Sequence, residues 1–263
     1  MNAIQRIREK IARGEVVLGT HVSLTDPAIT ELLGLVGFDA LWIDTEHTAI
    51  DRGTLLTHLM AARASGAAAF VRLPWNDAVL AKPVLDMGPD GLIFPMIRTA
   101  TEARAAVSAC LYPPAGIRGY GPNRASDYGT MNGAHYLEAA ASRFWRVMQI
   151  EHVDAVENLE GILAVDGVDA VIVGPNDLAG SIGLIGRTSD PRVVALLDRY
   201  ASVCRAAGKP YGASVGDDPA VIAEWVNRGV TWLMTGTDTG YLVRGARANL
   251  ETMRKTLAEG GRS

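Results

Sequence analysis

The chain has 263 residues, of which 48% are hydrophobic, 21% charged and 6% aromatic. This balance is typical of a globular protein with a sizeable core, and it excludes collagen, coiled-coil and intrinsically disordered proteins. The 29 acidic and 25 basic residues give a net charge of −4, and no run of Lys or Arg is dense enough to follow a nucleic-acid backbone.

Short apolar runs alternate with segments of helical period along the whole chain. The first segment has Ile4, Ile7 and Ile11 on one face, which predicts an amphipathic helix that covers one end of the fold. Helical segments follow at residues 27–36, after Asp26, and at 54–65 and 193–207. Eight strands are predicted, at residues 16–22, 40–43, 68–73, 91–95, 146–150, 170–173, 211–214 and 231–234.

This alternation of strands and helices predicts the fold class. Unbroken βα alternation gives parallel strands with right-handed crossovers, and eight such units in about 250 residues are typical of a closed barrel. An open doubly wound sheet more often has about five to seven strands. We therefore expect an α/β protein with a (β/α)8 TIM barrel, an N-terminal capping helix and a single domain over residues 1–263.

One long segment falls outside the eight units. Residues 111–144 are rich in Gly, Pro and Asn, and a connection of this length is usually functional. We expect it to form part of a substrate entrance, with Arg124 as the contact for an anionic or polyhydroxylated substrate. The alternative is a contact between subunits, in which Arg124 pairs with an acid.

The two cysteines and the hydropathy bear on location. Cys110 and Cys204 lie in apolar helical contexts with no nearby His or second Cys, which predicts reduced core thiols. No stretch approaches about 18 uninterrupted apolar residues, and the N-terminal segment has no apolar region typical of a signal peptide. We expect a cytoplasmic protein whose partners include neither a nucleic acid nor a membrane.

Active sites of such barrels lie where the strands end, and reactive residue types follow several predicted strands. They are Asp44, Glu46 and His47 after the second strand, Arg72 in the third, Gln149 and Glu151 at the fifth, and Gly174, Pro175, Asn176 and Asp177 after the sixth. Two carboxylates on adjacent strand ends can hold a hard divalent cation and leave positions for water and an oxygen-rich substrate.

Each of these residues also has a purely structural interpretation. Asp177 could cap the helix after the sixth strand, and Glu151 could be a first-turn acid that offsets a helix dipole. His47 could be a structural histidine, and Arg72 could merely pair with a neighbouring acid. The position of these residues favours the functional interpretation, because residues of compatible chemistry fall at the same end of the predicted barrel.

Longer matches point to a family. They are residues 42–47 (WIDTEH), 71–74 (VRLP), 85–88 (LDMG), 91–95 (GLIFP), 149–151 (QIE), 156–158 (VEN) and 173–178 (VGPNDL). Together they resemble the metal-dependent class II pyruvate aldolases, the family of 4-hydroxy-2-oxoheptane-1,7-dioate aldolase and 2-dehydro-3-deoxyglucarate aldolase. The resemblance covers nearly the whole chain, in order and with the expected gaps.

The resemblance implies a lyase that reversibly cleaves a 4-hydroxy-2-oxo acid to pyruvate, or hydroxypyruvate, and an aldehyde. It implies that Glu151 and Asp177 bind a divalent cation, Mg²⁺, Mn²⁺ or Co²⁺. Arg72 would face the keto oxygen that becomes an enolate, and His47, paired with Asp86, would move protons. A homo-oligomer is also implied, a hexamer built as a trimer of dimers.

The resemblance assigns supporting roles as well. Gln149 would lie beside the pyruvyl group, and the backbone around Gly174, Pro175 and Asn176 would receive its carboxylate. Asp44 and Glu46 would orient metal-bound water or the catalytic histidine.

Two positions depart from the family pattern, and either could alter the pocket wall. Thr20 and His21 stand where many members have Trp at the end of the first strand, and His152 follows Glu151 where a small hydroxyl residue is common. Adjacent residues that leave a strand point in different directions, so we expect His152 to stay out of the metal site.

The lysines disfavour the other aldolase mechanism, which needs a Schiff-base lysine. The chain has only Lys10, Lys82, Lys209 and Lys255, and none follows a predicted strand. Other enolate chemistry remains an alternative, such as 2-oxo acid decarboxylation or lysis of a malyl or citramalyl thioester, although no basic groove for coenzyme A is evident. Residues 119–124 (GYGPNR) lack the third glycine of a dinucleotide motif. A non-catalytic binding barrel is the remaining alternative.

Overall fold

Eight parallel strands form one closed barrel in the computed structural model of the protein, which describes residues 2–140 and 142–260. They are β1 (Val17–Val22), β2 (Ala40–Asp44), β3 (Ala68–Arg72), β4 (Gly91–Phe94), β5 (Trp145–Ile150), β6 (Ala170–Val173), β7 (Tyr211–Val215) and β8 (Trp232–Thr237). The predicted (β/α)8 barrel and its eight strands are confirmed. β8 extends beyond the predicted end at residue 234. The small and polar residues at its end do not continue the apolar pattern from which the strand was predicted. The single domain over residues 1–263 stays a prediction.

Helices connect the strands and surround the barrel. They are α1 (Ala3–Ala12), α2 (Pro27–Val36), α3 (Arg52–Ser65), α4 (Ala78–Asp86), α5 (Ala100–Cys110), α6 (Gly133–Ala140), α7 (Val153–Glu157), α8 (Leu159–Leu163), α9 (Pro175–Ser181), α10 (Pro191–Ala207), α11 (Pro219–Asn227) and α12 (Asp238–Gly260), with a 3₁₀ segment at Arg124–Gly129. Aspartate side chains cap the amino ends of several of these helices. Asp26 and Asp190 cap α2 and α10, each followed by a proline whose fixed φ suits the first helical position.

The barrel interior is apolar in its lower part and polar at the carboxyl ends of the strands. Inward-facing residues recur every second position, and the lower ones form a single buried cluster. The cluster includes Val17, Ala40, Trp42, Ala68, Phe70, Ile93, Trp145, Val147, Ala170, Ile172, Trp232 and Met234. Ile4 and Ile7 of α1 complete it from the amino ends of the strands, which confirms the predicted capping helix.

One step further along the strands, the inward register reaches a set of residues that we call the upper layer. It consists of His21, Asp44, Arg72, Gln149, Gly174, Ser214 and Gly236. The change from apolar to polar or small residues at this level marks the mouth of the barrel.

Residues 111–144 lie at the end of the barrel opposite the mouth, which corrects their predicted place. α5 carries the chain back from β4 to the opposite end of the barrel before this segment begins. There the segment packs against α4, and Asp127 binds Arg63 in the last turn of α3, with 2.6 Å between Oδ1 and Nη1. The segment therefore does not form the substrate entrance of its own chain.

The last helix leaves the barrel surface. α12 begins against β8 and β1, and its residues 242–259 are exposed. Apolar side chains are among them, namely Leu242, Val243, Leu250, Met253 and Leu257. This apolar face is not covered by any other part of residues 2–140 and 142–260.

Two smaller predictions also have outcomes. Cys110 and Cys204 are buried free thiols, as the sequence predicts. No helix in the described ranges is long and apolar enough to cross a membrane.

Candidate active site

An ion pair between Asp44 of β2 and Arg72 of β3 lies in the upper layer, with both side chains largely shielded from solvent. Asp44 and Arg72 are partners in the β2–β3 ladder, so their side chains leave the strands together. Arg72 donates from Nε and Nη2 to the two Asp44 carboxylate oxygens, at 2.9 and 2.6 Å. Its Nη1 lies 3.0 Å from Glu46 Oε2, and its guanidinium stands over the Trp42 ring, 5.2 Å from the centroid. Arg72 thus pairs with neighbouring acids, and the same pairing fixes its direction at the mouth.

The acids around Arg72 differ in their electrostatics. Burial alone would raise the pKa of Asp44, but its hydrogen bonds and ion pair with Arg72 lower it overall. Burial raises the pKa of Glu46, and the charges of Asp44 and Asp177 add to that effect against the opposing charge of Arg72. The contacts with Arg72 therefore favour the charged form of Asp44, whereas burial and the neighbouring acids disfavour the charged form of Glu46.

Glu151 is a buried carboxylate directly after β5, only 3% exposed. It accepts a hydrogen bond of 2.7 Å from the Met96 N–H, and Met96 has a positive φ of 56°, a conformation uncommon for residues other than glycine. Burial, together with the charges of Asp177 and Glu46, raises the pKa of Glu151 to about 7. In the described part of the chain this carboxylate forms no ion pair with a cationic side chain.

Gln149 and Gly174 shape the space beside Glu151. Gln149 Nε2 donates to Glu151 Oε2 at 2.5 Å, and its Oε1 is buried with no hydrogen-bond partner among the described residues. A Cβ at Gly174 would lie 3.1 Å from Glu151 Oε2 and 3.3 Å from Gln149 Nε2. Glycine therefore leaves room for a group that could satisfy both side chains.

Asp177 does not cap a helix in the structure, and Glu151 does not lie in the first turn of one. Asp177 lies exposed in the first turn of α9, where Gly174 holds the cap position and no side chain caps the helix. Glu151 precedes α7, whose cap is His152, so it is not a first-turn acid. His152 Nδ1 accepts from the Asp154 N–H at 3.2 Å, which occupies it outside the carboxylate cluster.

These residues fit a divalent cation. Burial and repulsion from the carboxylates of Asp177 and Glu46 raise the pKa of Glu151. A bound cation would lower this pKa, because it favours the charged carboxylate. No three His, Cys, Asp or Glu side chains form a preformed cage within the described ranges. Mg²⁺ is commonly bound by one or two carboxylates with water and substrate oxygens, so Glu151 and Asp177 would suffice as its protein ligands.

The predicted pair of His47 and Asp86 does not form within one chain. His47 has a 67% exposed side chain and lies beside Glu46, with 3.8 Å between Nε2 and Oε2. Asp86 is the last of the nine residues of α4, about 13 Å along the helix from its start, and it binds Arg118 at 3.0 Å. The prediction failed here because α4 carries Asp86 away from the mouth.

Arg124 is a structural residue, which corrects its predicted contact with substrate. Only 7% exposed, it donates from Nη1 to the Met87 carbonyl at 2.7 Å and from Nη2 to the Leu59 carbonyl at 3.0 Å. Burial lowers its pKa. Within its own chain the guanidinium is held by backbone carbonyls, and the alternative of a contact between subunits stays a prediction.

The sequence interpretation missed one polar pair at the mouth. His21 appeared there only as a departure from a family pattern, and Ser214 was not named. In the structure His21 Nε2 lies 2.9 Å from Ser214 Oγ. The inward register of β1 and β7 was the signal that could have found both residues.

A closed (β/α)8 barrel with clustered carboxylates and an oriented guanidinium at its mouth defines an enzyme that acts on small oxygen-rich molecules. The chain belongs to the HpcH/HpaI aldolase/citrate lyase family, which it matches over residues 18–244. It is an aldolase, a carbon–carbon lyase, as the resemblance in its sequence implies.

Individual relatives show how close the similarity is. The chain is 36% identical to a 5-keto-4-deoxy-D-glucarate aldolase of Salmonella arizonae over 259 residues, which are 97% of this chain and 99% of that one. An HpcH/HpaI aldolase/citrate lyase family protein from Burkholderia cenocepacia has a TM-score of 0.90 and 31% identity, over 97% of this chain and 100% of that one. The citrate synthase SbnG has a TM-score of 0.82 and 29% identity, over 95% and 97% of the two chains.

Proposed function

We propose that the protein is a divalent-metal-dependent aldolase that cleaves a 4-hydroxy-2-oxo acid to pyruvate, or hydroxypyruvate, and an aldehyde. The observation that carries this proposal is the buried Glu151 carboxylate, which lacks a cationic partner, in one cluster with Asp177 and the Arg72 guanidinium. The similarity to a 5-keto-4-deoxy-D-glucarate aldolase supports a polyhydroxylated substrate.

In this proposal Glu151 and Asp177 hold the cation, Mg²⁺, Mn²⁺ or Co²⁺, which supplies Lewis acidity toward the 2-oxo acid. Arg72 stabilises the negative charge that develops on the keto oxygen. Asp44 and Glu46 occupy only part of its donors, and N–H groups remain on both terminal nitrogens. No donor has to reorient during the reaction, because Asp44 already holds the guanidinium in place.

The remaining mouth residues would bind the pyruvyl group. The side chain of Gln149 would lie beside it, and its buried Oε1 is free to accept a hydrogen bond from a bound water. The backbone at Gly174, Pro175 and Asn176 would receive the carboxylate, although the Gly174 N–H already donates to Ile150 O at 3.1 Å. Asn176 is therefore the position in this turn with a backbone N–H to offer, because proline has none.

His47 would carry the proton in this mechanism. Since Asp86 of the same chain lies at the far end of α4, the implied pair of His47 and Asp86 would require a second copy of the chain. We propose a homo-oligomer, a hexamer built as a trimer of dimers, and the exposed apolar face of α12 supports self-association. We also propose a cytoplasmic location, which the two buried free thiols support.

Mixed oligomers test the proposed pair. His47→Ala and Asp86→Asn should each be nearly inactive, and coexpression of the two should restore part of the activity by joining an intact His47 to an intact Asp86. Coexpression that restores nothing would remove Asp86 from the proton path.

A second candidate is other chemistry on a metal-stabilised enolate. The similarity to the citrate synthase SbnG supports carbon–carbon bond formation with a different acceptor. Decarboxylation of a 2-oxo acid and lysis of a malyl or citramalyl thioester belong to the same group of reactions.

A substrate panel separates these candidates. Purified protein with Mn²⁺ or Mg²⁺ would be offered 5-keto-4-deoxy-D-glucarate for cleavage, and pyruvate or hydroxypyruvate with a series of aldehydes for addition. We expect pyruvate release in the first assay and addition products in the second. Release of carbon dioxide, or turnover of a thioester alone, would favour the second candidate.

A further inference from the structure

His21 and Ser214 form a polar pair at the mouth that the proposed mechanism does not use. They belong to β1 and β7, the two neighbours of β8, and both face inward in the upper layer. Going round the barrel, they fill the arc between Gly174, directly after β6, and Asp44 on β2. Both residues are partly exposed, so the pair belongs to the wall of the pocket and not to the core beneath it.

The surroundings of His21 fix its tautomer. Its Nδ1 lies 2.8 Å from the carbonyl oxygen of Gly236, and its Nε2 lies 2.9 Å from Ser214 Oγ. A carbonyl can only accept, so Nδ1 must carry the proton and Nε2 must offer its lone pair. Burial lowers the pKa of His21, which favours the neutral ring. The Ser214 hydroxyl therefore donates its only proton to His21.

A bulge in β8 makes the Gly236 carbonyl available. β1 pairs Gly19 with Met234 and His21 with Thr237, so β8 has one residue more than β1 over this stretch. Gly236 has a φ of +65°, and a side chain there would lie 2.5 Å from Tyr241 Oη. Glycine adopts this conformation easily, and the bulge turns its carbonyl out of the ladder toward His21.

Ser214 lies next to the carboxylate cluster. Ala213 pairs with Val173 in the β6–β7 ladder, so the next residues, Ser214 and Gly174, lie about one strand spacing apart, roughly 5 Å. Gly174 in turn borders Glu151 and Gln149. A substrate bound at the carboxylates would therefore reach the Ser214 hydroxyl.

Ser214 Oγ offers lone pairs, and no proton, to a substrate at the mouth. No other donor in the described part of the chain forms a hydrogen bond with it. We propose that the His21–Ser214 pair is a specificity determinant that accepts a hydrogen bond from an aliphatic hydroxyl of the substrate. Ser214 contacts the hydroxyl, and His21 is a positioning residue that holds the serine proton. The pair thus favours a hydroxylated substrate over its deoxy analogue, and this inference rests on the proposed aldolase function.

The hydroxyl has two sources, the aldehyde or C3 of a hydroxypyruvate donor. Each has a partner of nearly equal size in which methyl replaces hydroxyl: propanal for glycolaldehyde, and 2-oxobutanoate for hydroxypyruvate. The experiment measures kcat/KM for addition by the metal-loaded enzyme in both pairs, and compares the hydroxyl-to-methyl ratio among variants. Damage to the fold or to the metal site lowers both members of a pair and leaves this ratio unchanged.

We expect Ser214→Ala to lower the ratio about 10-fold or more in one pair, which identifies the source of the hydroxyl. His21→Phe should lower the same ratio. His21→Gln should restore part of it, because an amide can donate to Gly236 and accept from Ser214. Ser65→Ala, which removes a hydroxyl from the last turn of α3, is the matched control and should not change the ratio.

Ratios that stay constant in both pairs for Ser214→Ala would overturn this inference and leave the aldolase function standing. Loss of the ratio in His21→Phe with no loss in Ser214→Ala would also contradict it, since the contact would not be the serine. Wild-type enzyme that turns over none of these donor and aldehyde combinations would refute the proposed function itself.

Discussion

The two ends of the barrel each contain an arginine, and the two arginines have different surroundings. At the mouth, Arg72 binds Asp44 and contacts Glu46, within a cluster that includes the carboxylates of Glu151 and Asp177. At the other end, Arg124 binds the Leu59 carbonyl in the middle of α3 and the Met87 carbonyl at the end of α4. Both side chains are largely shielded from solvent, so burial alone does not distinguish function from support.

The difference lies in what remains unsatisfied. Around Arg124 backbone carbonyls accept from both terminal nitrogens, and no carboxylate of the described residues forms an ion pair with the guanidinium. Around Arg72 the acids outnumber the bases, Glu151 has a pKa raised to about 7, and Gln149 Oε1 has no partner in the described chain. Polar groups left without partners in a concave site are typical of a place where a ligand completes the structure.

Glu151→Gln should have the largest effect on the mouth. The amide preserves shape but removes the charge that would hold the cation, so we expect kcat to fall about 10³-fold or more. Isothermal titration with Mn²⁺ should show weakened binding in the same variant. Glu160→Gln, at an exposed acid of α8, is the control and should match the wild type. Full Mn²⁺ affinity in Glu151→Gln would contradict the proposal that the unpaired carboxylate at the mouth binds a cation.

Arg72→Ala should lower kcat about 10²-fold, the usual loss for one donor to a developing oxyanion. Arg72→Lys should recover only part of the rate, because an ammonium cannot form the bidentate contact with Asp44. Steady-state kinetics of pyruvate release would measure both. A change confined to KM would mean that Arg72 binds substrate without stabilising the transition state.

Arg124→Met should affect stability and not chemistry. The substitution leaves the Met87 and Leu59 carbonyls without their donors, so we expect the free energy of unfolding to fall by about 2 kcal/mol. Urea denaturation would measure this loss, and kcat per folded enzyme should be nearly unchanged. A large fall in kcat in fully folded protein would place Arg124 in the active site after all.

Cation affinity should depend on pH through Glu151. Its pKa in the folded, metal-free protein is raised from 4.5 to about 7, so below that pH a proton must leave before the cation binds. The Kd for Mn²⁺ should therefore rise about tenfold for each pH unit below 7. The same shift makes the metal-free protein lose stability as pH rises from 4.5 to 7. Asp90, at the other end with a pKa raised to about 6, titrates in the same range, so affinity is the cleaner measurement.

The sequence predicted the fold of the barrel more fully than it predicted which residues lie at each end and contact one another there. Strand periodicity locates all eight strands, and carboxylates after β5 and β6 meet because parallel strands end at one edge. It misplaced Asp86 and residues 111–144, because a helix after each strand reverses the chain by its whole length. It also missed Ser214, since a single serine in a strand has no spacing pattern, and its bond to His21 joins residues far apart in the chain.

Exchange of the methyl protons of pyruvate in D₂O tests the central claim most directly, because it requires enolate formation and needs no aldehyde. Proton NMR would follow wild-type enzyme with Mg²⁺, the same enzyme after chelation and after metal is restored, and Glu151→Gln. We predict rapid exchange with the cation, loss of exchange on chelation, recovery on restoration, and near absence in the variant. Exchange that persists in chelated enzyme, or in Glu151→Gln at the wild-type rate, would contradict a metal-dependent site at the mouth.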